Sequence, residues 1–377
     1  MLRKLFALAL VTGVVFACES VYPIWIQRSS TADPLYRFVR NGKAGYIDGT
    51  GQIVIPPTLE AYGNYGGEFH DGLIEIGVSD GLYVDRTGKV VLDPGLFRGW
   101  EFSEGLAAAM KKGEKLWGYI DTSGKFAVTP RFGTGPGGYV YSFSDGLAMI
   151  KVLGKYGYID RSGEFVIQPQ FQDGNSFSDG FARVVTDGPC VYFPDGPCGS
   201  MNLRIVGEVS GQAPPCRFTY IDKTGRVISA LHFDSGRDFS EGLAPVQTGK
   251  LWGFIDKGGS VVIPARFEEA EPHHSGLARI REHDLYGYID KSGAVVIAPQ
   301  YAMAENFSEG FAAVGQGTGQ ILHYIDQYGV QTINGEFAAA SPFFKGLAHV
   351  RLLPPDQRKA GAEFAYIDTK GRRVFSY

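Results

Sequence analysis

Nine aspartates recur along the 377-residue chain, at Asp48, Asp85, Asp121, Asp160, Asp222, Asp256, Asp290, Asp326 and Asp368. Each has a glycine three positions later, from Gly51 to Gly371. A ladder of carboxylates at fixed spacing is one way to build a row of cation sites. Cysteine supplies a second chemistry, with Cys18 near the N-terminus and Cys190, Cys198 and Cys216 close together. A third group is Glu268, Glu269 and Glu271 followed by His273 and His274, with His283 nearby, and imidazole beside carboxylate suits a divalent metal. Motifs that declare catalysis are missing: the sequence has no G-x-S-x-G elbow, H-E-x-x-H, P-loop, or G-x-G-x-x-G in a βαβ setting.

Each candidate has a plainer account in the element that carries it. Asp-x-(Ser/Thr)-Gly is a turn signal, because aspartate caps the turn through its side chain and glycine takes φ > 0 at little cost. The nine aspartates are therefore expected to be turn caps, and the glycine-rich nonapeptide of calcium-binding β-rolls is absent. His273 and His274 are sequence neighbours, which on a strand point to opposite faces, so a solvated loop is expected there. The three inserted cysteines lack C-x-x-C spacing and have no histidine among them. One disulfide among Cys190, Cys198 and Cys216, pairing open, is expected in an exported chain.

The elements repeat with the aspartates. Gly-(Tyr/Phe)-Ile-Asp ends at Asp48, Asp121, Asp160, Asp256 and Asp290, with weaker copies at the other four. Upstream runs Phe-Ser-(Asp/Glu)-Gly-(Leu/Phe)-Ala, at Phe102, Phe143, Phe177, Phe239 and Phe307, with drifted forms at Phe69 and Phe343. Downstream is a β-branched run with proline, such as Val261-Val262-Ile263-Pro264. Leu-Ala-x-Val alternates as a half-buried strand, Gly-Tyr-Ile-Asp is a second strand, and the valine run is a third that proline is expected to stop. Three short strands cannot bury both faces, so units must stack on their neighbours. Recurrent Tyr and Phe are expected in that core. Glycine, 52 residues or about 14%, is twice the usual ~7% and punctuates the units.

The order Trp117-Gly118-Tyr119-Ile120-Asp121 and Trp252-Gly253-Phe254-Ile255-Asp256, each behind its Phe-Ser-(Asp/Glu)-Gly leader, resembles the bacterial WG-repeat (KWG-type) family. The resemblance spans residues 36–377 in about nine units, with an insertion at about 186–217. It implies an all-β repeat protein, often at the cell surface, with no common activity to carry over. Nine three-stranded antiparallel units are expected to form an open, twisted solenoid. A closed, propeller-like ring is the alternative, disfavoured because propellers usually have four strands per blade and four to eight blades.

Residues 1–17 read as a signal peptide, with Arg3 and Lys4 ahead of an apolar run too short to span a bilayer. Val15, Ala17 and Cys18 resemble a lipobox, which implies lipid attachment at Cys18, with residues 18–35 as a tether. The expected location is therefore the bacterial cell envelope, membrane-anchored through lipid. With 36 Lys and Arg against 40 Asp and Glu, the net charge of −4 argues against nucleic acid as a partner. A non-enzymatic chain without cofactor is expected, presenting a β surface to an envelope protein or peptide. A glycan or peptidoglycan module is the alternative, and a hydrolase using two off-repeat carboxylates is a third reading.

Overall fold

The computed structural model describes residues 34–60, 68–76, 81–93, 95–133, 139–186, 217–317, 321–353 and 363–377. The signal peptide, nearly all of the tether, Cys18 and the three inserted cysteines lie outside the described residues. Within them the chain forms nine small antiparallel sheets, each a meander of strands consecutive in sequence. The sixth sheet shows the plan: Ser235–Gly236, Leu243–Thr248, Leu251–Asp256 and Val261–Phe267, paired in that order. Five of the nine sheets have this four-stranded form, so the expectation of three strands per unit falls short. The extra strand comes from residues just ahead of the Phe-Ser-(Asp/Glu)-Gly turn, too short and irregular to show a period of two.

Proline does not stop the third strand. Val261–Phe267 runs through Pro264. Between the pairs Phe254↔Ile263 and Trp252↔Phe267 the outer strand advances four residues while its partner advances two. The strand lies at the sheet edge, where a missing N–H breaks no ladder, and the surplus residues fold into a bulge. That bulge explains the glycine of the Trp-Gly pair. At Gly287 an added Cβ would stand 2.6 Å from both the Ile297 carbonyl oxygen and the Pro299 nitrogen. Gly45, Gly118, Gly157 and Gly253 meet the same crossing backbone, and these five sheets each carry two register shifts there. Where the glycine is replaced, by Leu82, Thr219, His323 or Ala365, the third strand shortens or is reduced to isolated bridges.

Sheets pack face to face through one repeated aromatic contact. The tyrosine of Tyr-Ile-Asp is buried and meets, edge to face, the phenylalanine of the next unit's turn: Tyr83–Phe102 at 5.1 Å, Tyr158–Phe177 at 4.8 Å, Tyr288–Phe307 at 4.7 Å. Such pairs add about 0.5–1.5 kcal/mol beyond the area they bury. The hydroxyl also donates to a backbone carbonyl of the next unit, as from Tyr158 to Asn175 at 2.8 Å and Tyr288 to Glu305 at 2.7 Å. Core packing is thus the role of the recurrent aromatics.

The same contacts join the last unit to the first. Tyr366 packs on Tyr36 at 5.4 Å and donates to the Arg37 carbonyl at 2.6 Å, while Tyr36 donates to the Lys345 carbonyl at 2.6 Å. Phe38 and Ile47 share a buried cluster with Leu347 and Tyr366. Gly51 lies against Val374, as Gly88 lies against Ile55 and Gly293 against Ile263 in consecutive units. Units stack on their neighbours as a repeat array requires, but the ends meet, and the closed ring is the arrangement adopted. The expectation of an open solenoid rests on three strands per unit and on a count of nine units, above the usual number of blades. Closure here is by side-chain packing between whole sheets, which needs no shared strand.

Candidate functional site

The aspartate ladder is made of turns. The Asp121 Oδ1 accepts from the Ser123 N–H at 2.8 Å, the Ser123 hydroxyl at 2.6 Å and the Lys125 N–H at 3.2 Å. Asp48, Asp85, Asp160 and Asp290 repeat the pattern. The hydroxyl bond, followed by the peptide N–H bonds, holds these five carboxyls below the usual aspartate range. Among the described residues no group of three or more metal-ligating side chains converges.

The Phe-Ser-(Asp/Glu)-Gly turns form a second, circular chain of hydrogen bonds. Each serine hydroxyl donates to the aromatic's carbonyl in the next turn, from Ser144 to Phe177 at 2.7 Å, Ser178 to Phe239 at 2.9 Å and Ser308 to Phe343 at 2.6 Å. Each acid accepts from the next turn's glycine N–H: Asp71 from Gly105, Asp145 from Gly180 and Asp179 from Gly242, all at 2.7 Å, and Glu104 from Gly146 at 3.0 Å. Glycine is needed at the donating position, where φ is +77° to +94° at Gly105, Gly146, Gly180 and Gly242. The motif therefore joins one sheet to the next, a role that its spacing alone did not reveal.

Among the described turns the acid-to-glycine bond is broken at two places. His274 and Ser275 stand where other turns have serine and an acid, so the seventh turn receives bonds from Ser240 and Glu241 but its own residues cannot return the carboxylate bond. Lys345 stands at the acid position of the last turn, and the matching glycine position of the first unit is Pro34, which has no N–H.

The segment 267–274 is not a solvated loop. Phe267, Ala270 and His273 have no exposed surface. The carboxylates are held by arginines: Glu271 Oε1 lies 2.8 Å from Arg237 Nη1 and 3.2 Å from Arg279 Nη2, and Glu269 Oε2 lies 3.6 Å from Arg281 Nε. Tyr286 donates to Glu269 at 3.2 Å. His273 instead occupies the place of the turn phenylalanine and packs on Phe254 at 5.1 Å. Neither of its ring nitrogens makes a hydrogen bond; the Asp290 peptide lies near enough to favour the cation but outside bonding geometry. Burial holds the imidazole below its usual pKa, with Lys291 and His274 acting the same way and Glu241 against it.

Where the repeats differ most is the third residue of the strand after the turn, the x of Leu-Ala-x-Val. This position holds Arg37, Glu75, Ala108, Met149, Arg183, Pro245, Arg279, Ala313 and His349, each paired across the strand with the conserved-place aromatic, as in Arg183↔Tyr220 and Arg279↔Tyr288. Arg183 and Arg279 donate to the Gly236 and Ala304 carbonyls of the following sheets. Glu75 is raised to about 7, by burial and then by Glu101. Glu68 is raised by burial and Glu101, against His70, whose Nε2 lies 3.4 Å from Glu101. Sequence reading passed over these residues because x looked like a gap in a motif.

Two hollows are formed by the described residues. The hollow beside Glu68, lined also by Pro34, Phe69, Arg86 and Lys345, holds about 20 Å³. A second, beside Asn334, Glu336, Leu352 and Arg373, holds about 220 Å³. Both are below the ~300–1,000 Å³ of small-molecule sites.

The fold and its linking motifs define an all-β tandem-repeat protein whose nine sheets close into a ring. The chain belongs to the family with the WG containing repeat, whose model matches residues 45–75, 83–115, 117–156, 156–188, 218–252, 252–286 and 286–317. No curated protein matches the chain. Among solved structures, apo AztD from Citrobacter koseri is similar over 91% of this chain and 94% of its own, at 12% identity and a TM-score of 0.41. The computationally designed Ika8 protein is similar over 73% and 85%, at 10% identity and 0.41. Hsv2 of Kluyveromyces lactis is similar over 64% and 75%, at 10% identity and 0.36.

Proposed function

We propose that this ring is a non-enzymatic binding protein of the bacterial cell envelope, held to a membrane by lipid at Cys18. In this reading it presents its β surface to another envelope protein or peptide. The supporting observation is where the polar side chains of the repeat go. Turn aspartates, turn serines and the acids of the Phe-Ser-(Asp/Glu)-Gly motif bond within a unit or to its neighbour, so among the described residues these repeated polar groups are taken up by the scaffold. The inserted segment is the largest departure from the repeat, and a long loop on a repeated scaffold is the pattern of a recognition surface. The inserted segment at about 186–217 is the contact assigned to the partner.

In-cell crosslinking from the Cys190–Cys216 extension is expected to capture one discrete protein. Capture of nonspecific neighbours alone would refute the partner reading. The anchor is tested separately: Cys18→Ser is expected to release the protein from membranes or block its processing, and unchanged membrane fractionation would refute lipid attachment.

A further inference from the structure

The hairpin end of the fourth sheet differs from those of the first and seventh, which turn in the same way. In the fourth sheet Leu147–Val152 turns into Lys155–Ile159 through Leu153 and Gly154, both at positive φ, 49° and 81°. A two-residue turn with both centres at φ > 0 favours Asn, Asp or Gly, because a larger side chain is strained there. The same turn in the first sheet is Asn41-Gly42, at 53° and 73°, and in the seventh His283-Asp284. Leu153 is 95% exposed, so it contributes nothing to the core in return for its strain. An unfavourable backbone and an unfavourable solvent environment coincide at one leucine, and such coincidences point to a contact made elsewhere.

Its surroundings are apolar and basic. Leu116 and Tyr139 are 40% and 49% exposed. The two sheets adjoin, since Met110 and Trp117 of the third share a core cluster with Val140, Ile150 and Val152 of the fourth. Lys111, Lys112 and Lys115 are exposed on the third-sheet hairpin, with Glu114 the acid among them. Lys151 lies over the Tyr156 ring at 4.6 Å, and Lys155 is half-buried at the base of the Leu153 turn. Five lysines thus lie on the hairpins of two adjoining sheets, on a chain of net charge −4.

We propose that these two hairpin tips form a foot for an anionic phospholipid surface, with Leu153 entering the interfacial region and the lysines facing headgroup phosphates. A convex tip with a single protruding leucine suits a bilayer, which has no pocket to complement. Lysine is depleted in the cores of protein interfaces, whereas at membranes it lays its stem on apolar surface and keeps its charge in the headgroup layer. Tyrosine at the rim suits the same boundary. The foot goes beyond the protein-binding reading and does not depend on it.

The test uses the full chain in flotation with two vesicle types, phosphatidylcholine alone and phosphatidylcholine mixed with phosphatidylglycerol. The ratio of bound protein between them reports the foot, because a lipid chain at Cys18 raises both alike. The ratio is expected to exceed about tenfold at low salt and to fall as salt rises. Lys112→Glu with Lys155→Glu is expected to bring it near unity. Leu153→Asn is expected to lower anionic binding about tenfold while raising the melting temperature, since asparagine suits the turn; lost binding then cannot be lost folding. Equal retention on both vesicles overturns the proposal. So does an unchanged ratio in Leu153→Asn, or capture of a soluble acidic peptide as strong as capture of anionic vesicles, which would assign the patch to a protein.

Discussion

Replacing His273 by phenylalanine is expected to stabilise the ring, by an amount that grows as the solution is acidified. His273 has no exposed surface and neither ring nitrogen has a hydrogen-bond partner. A buried polar group left unsatisfied costs about 1–3 kcal/mol, so His273→Phe should gain roughly that near neutral pH. The site accepts the ring: Phe102, Phe143, Phe177, Phe239, Phe307 and Phe343 occupy this place in other units, each against a tyrosine bulkier than Phe254. Acidification adds a second contribution. Burial lowers the folded pKa of His273 below its usual 6.5, so between the two values the unfolded chain binds more protons. Stability therefore rises with pH through that window and is lost as pH falls below about 6.5, by up to ~1.4 kcal/mol per pH unit for one proton. His274, His323 and His349, the last held at about 4, are lowered by burial too and stay in the variant, so only one proton's share of the slope disappears. Urea unfolding of both proteins near neutral pH and at about pH 5 reads both effects. A variant less stable than the parent at neutral pH, or one with the parent's full acid sensitivity, would refute the reasoning.

Gly287→Ala should cost about 1–3 kcal/mol, because the new methyl meets the backbone of the proline bulge, whereas Ala365→Gly, where no bulge crosses, should cost under about 1 kcal/mol; urea midpoints at equal m distinguish them. Phe38→Ala should cost about 3–5 kcal/mol and speed amide exchange in both Tyr36–Arg40 and Phe364–Asp368, the two sides of the closure; faster exchange in the first alone would contradict a closed ring. Asp179→Asn keeps an acceptor for the Gly242 N–H and should cost under about 1 kcal/mol, while Asp179→Ala leaves that N–H without its partner and should cost about 1–2 kcal/mol by thermal or urea unfolding.

The repeat period, three strands of each unit, the aspartate turns and the buried tyrosines were legible, because each follows from local rules: alternation, turn chemistry and burial of aromatics. Pro264 was misread for the same reason. Local chemistry says that proline ends a strand, and only the pairing partner shows that it sits in an edge bulge folded over Gly253. Ring closure was not legible either, since the Tyr366–Tyr36 and Val374–Gly51 contacts join residues more than three hundred positions apart with no motif in common. His273 looked like a candidate ligand because two histidines followed three glutamates. Placing it against Phe69 and Phe102 of the other turns would have shown it in the slot of a core aromatic. The basic, apolar tips around Leu153 fall in the hairpin that the repeat leaves variable, where sequence gives no hint that Lys112 and Lys155 come from adjoining sheets.

The broken relay at Lys345 and Pro34 gives the ring a mechanical asymmetry. The junction after the seventh turn also lacks the acid-to-glycine link, but only the one between the ninth and first sheets lies where the chain enters the ring through Leu35. Tension applied through residues before Pro34 therefore loads the Tyr36–Lys345 and Tyr366–Arg37 bonds first and peels the first sheet from the ninth, like a clasp pulled at its tongue. The other eight junctions carry that force only after the clasp has opened.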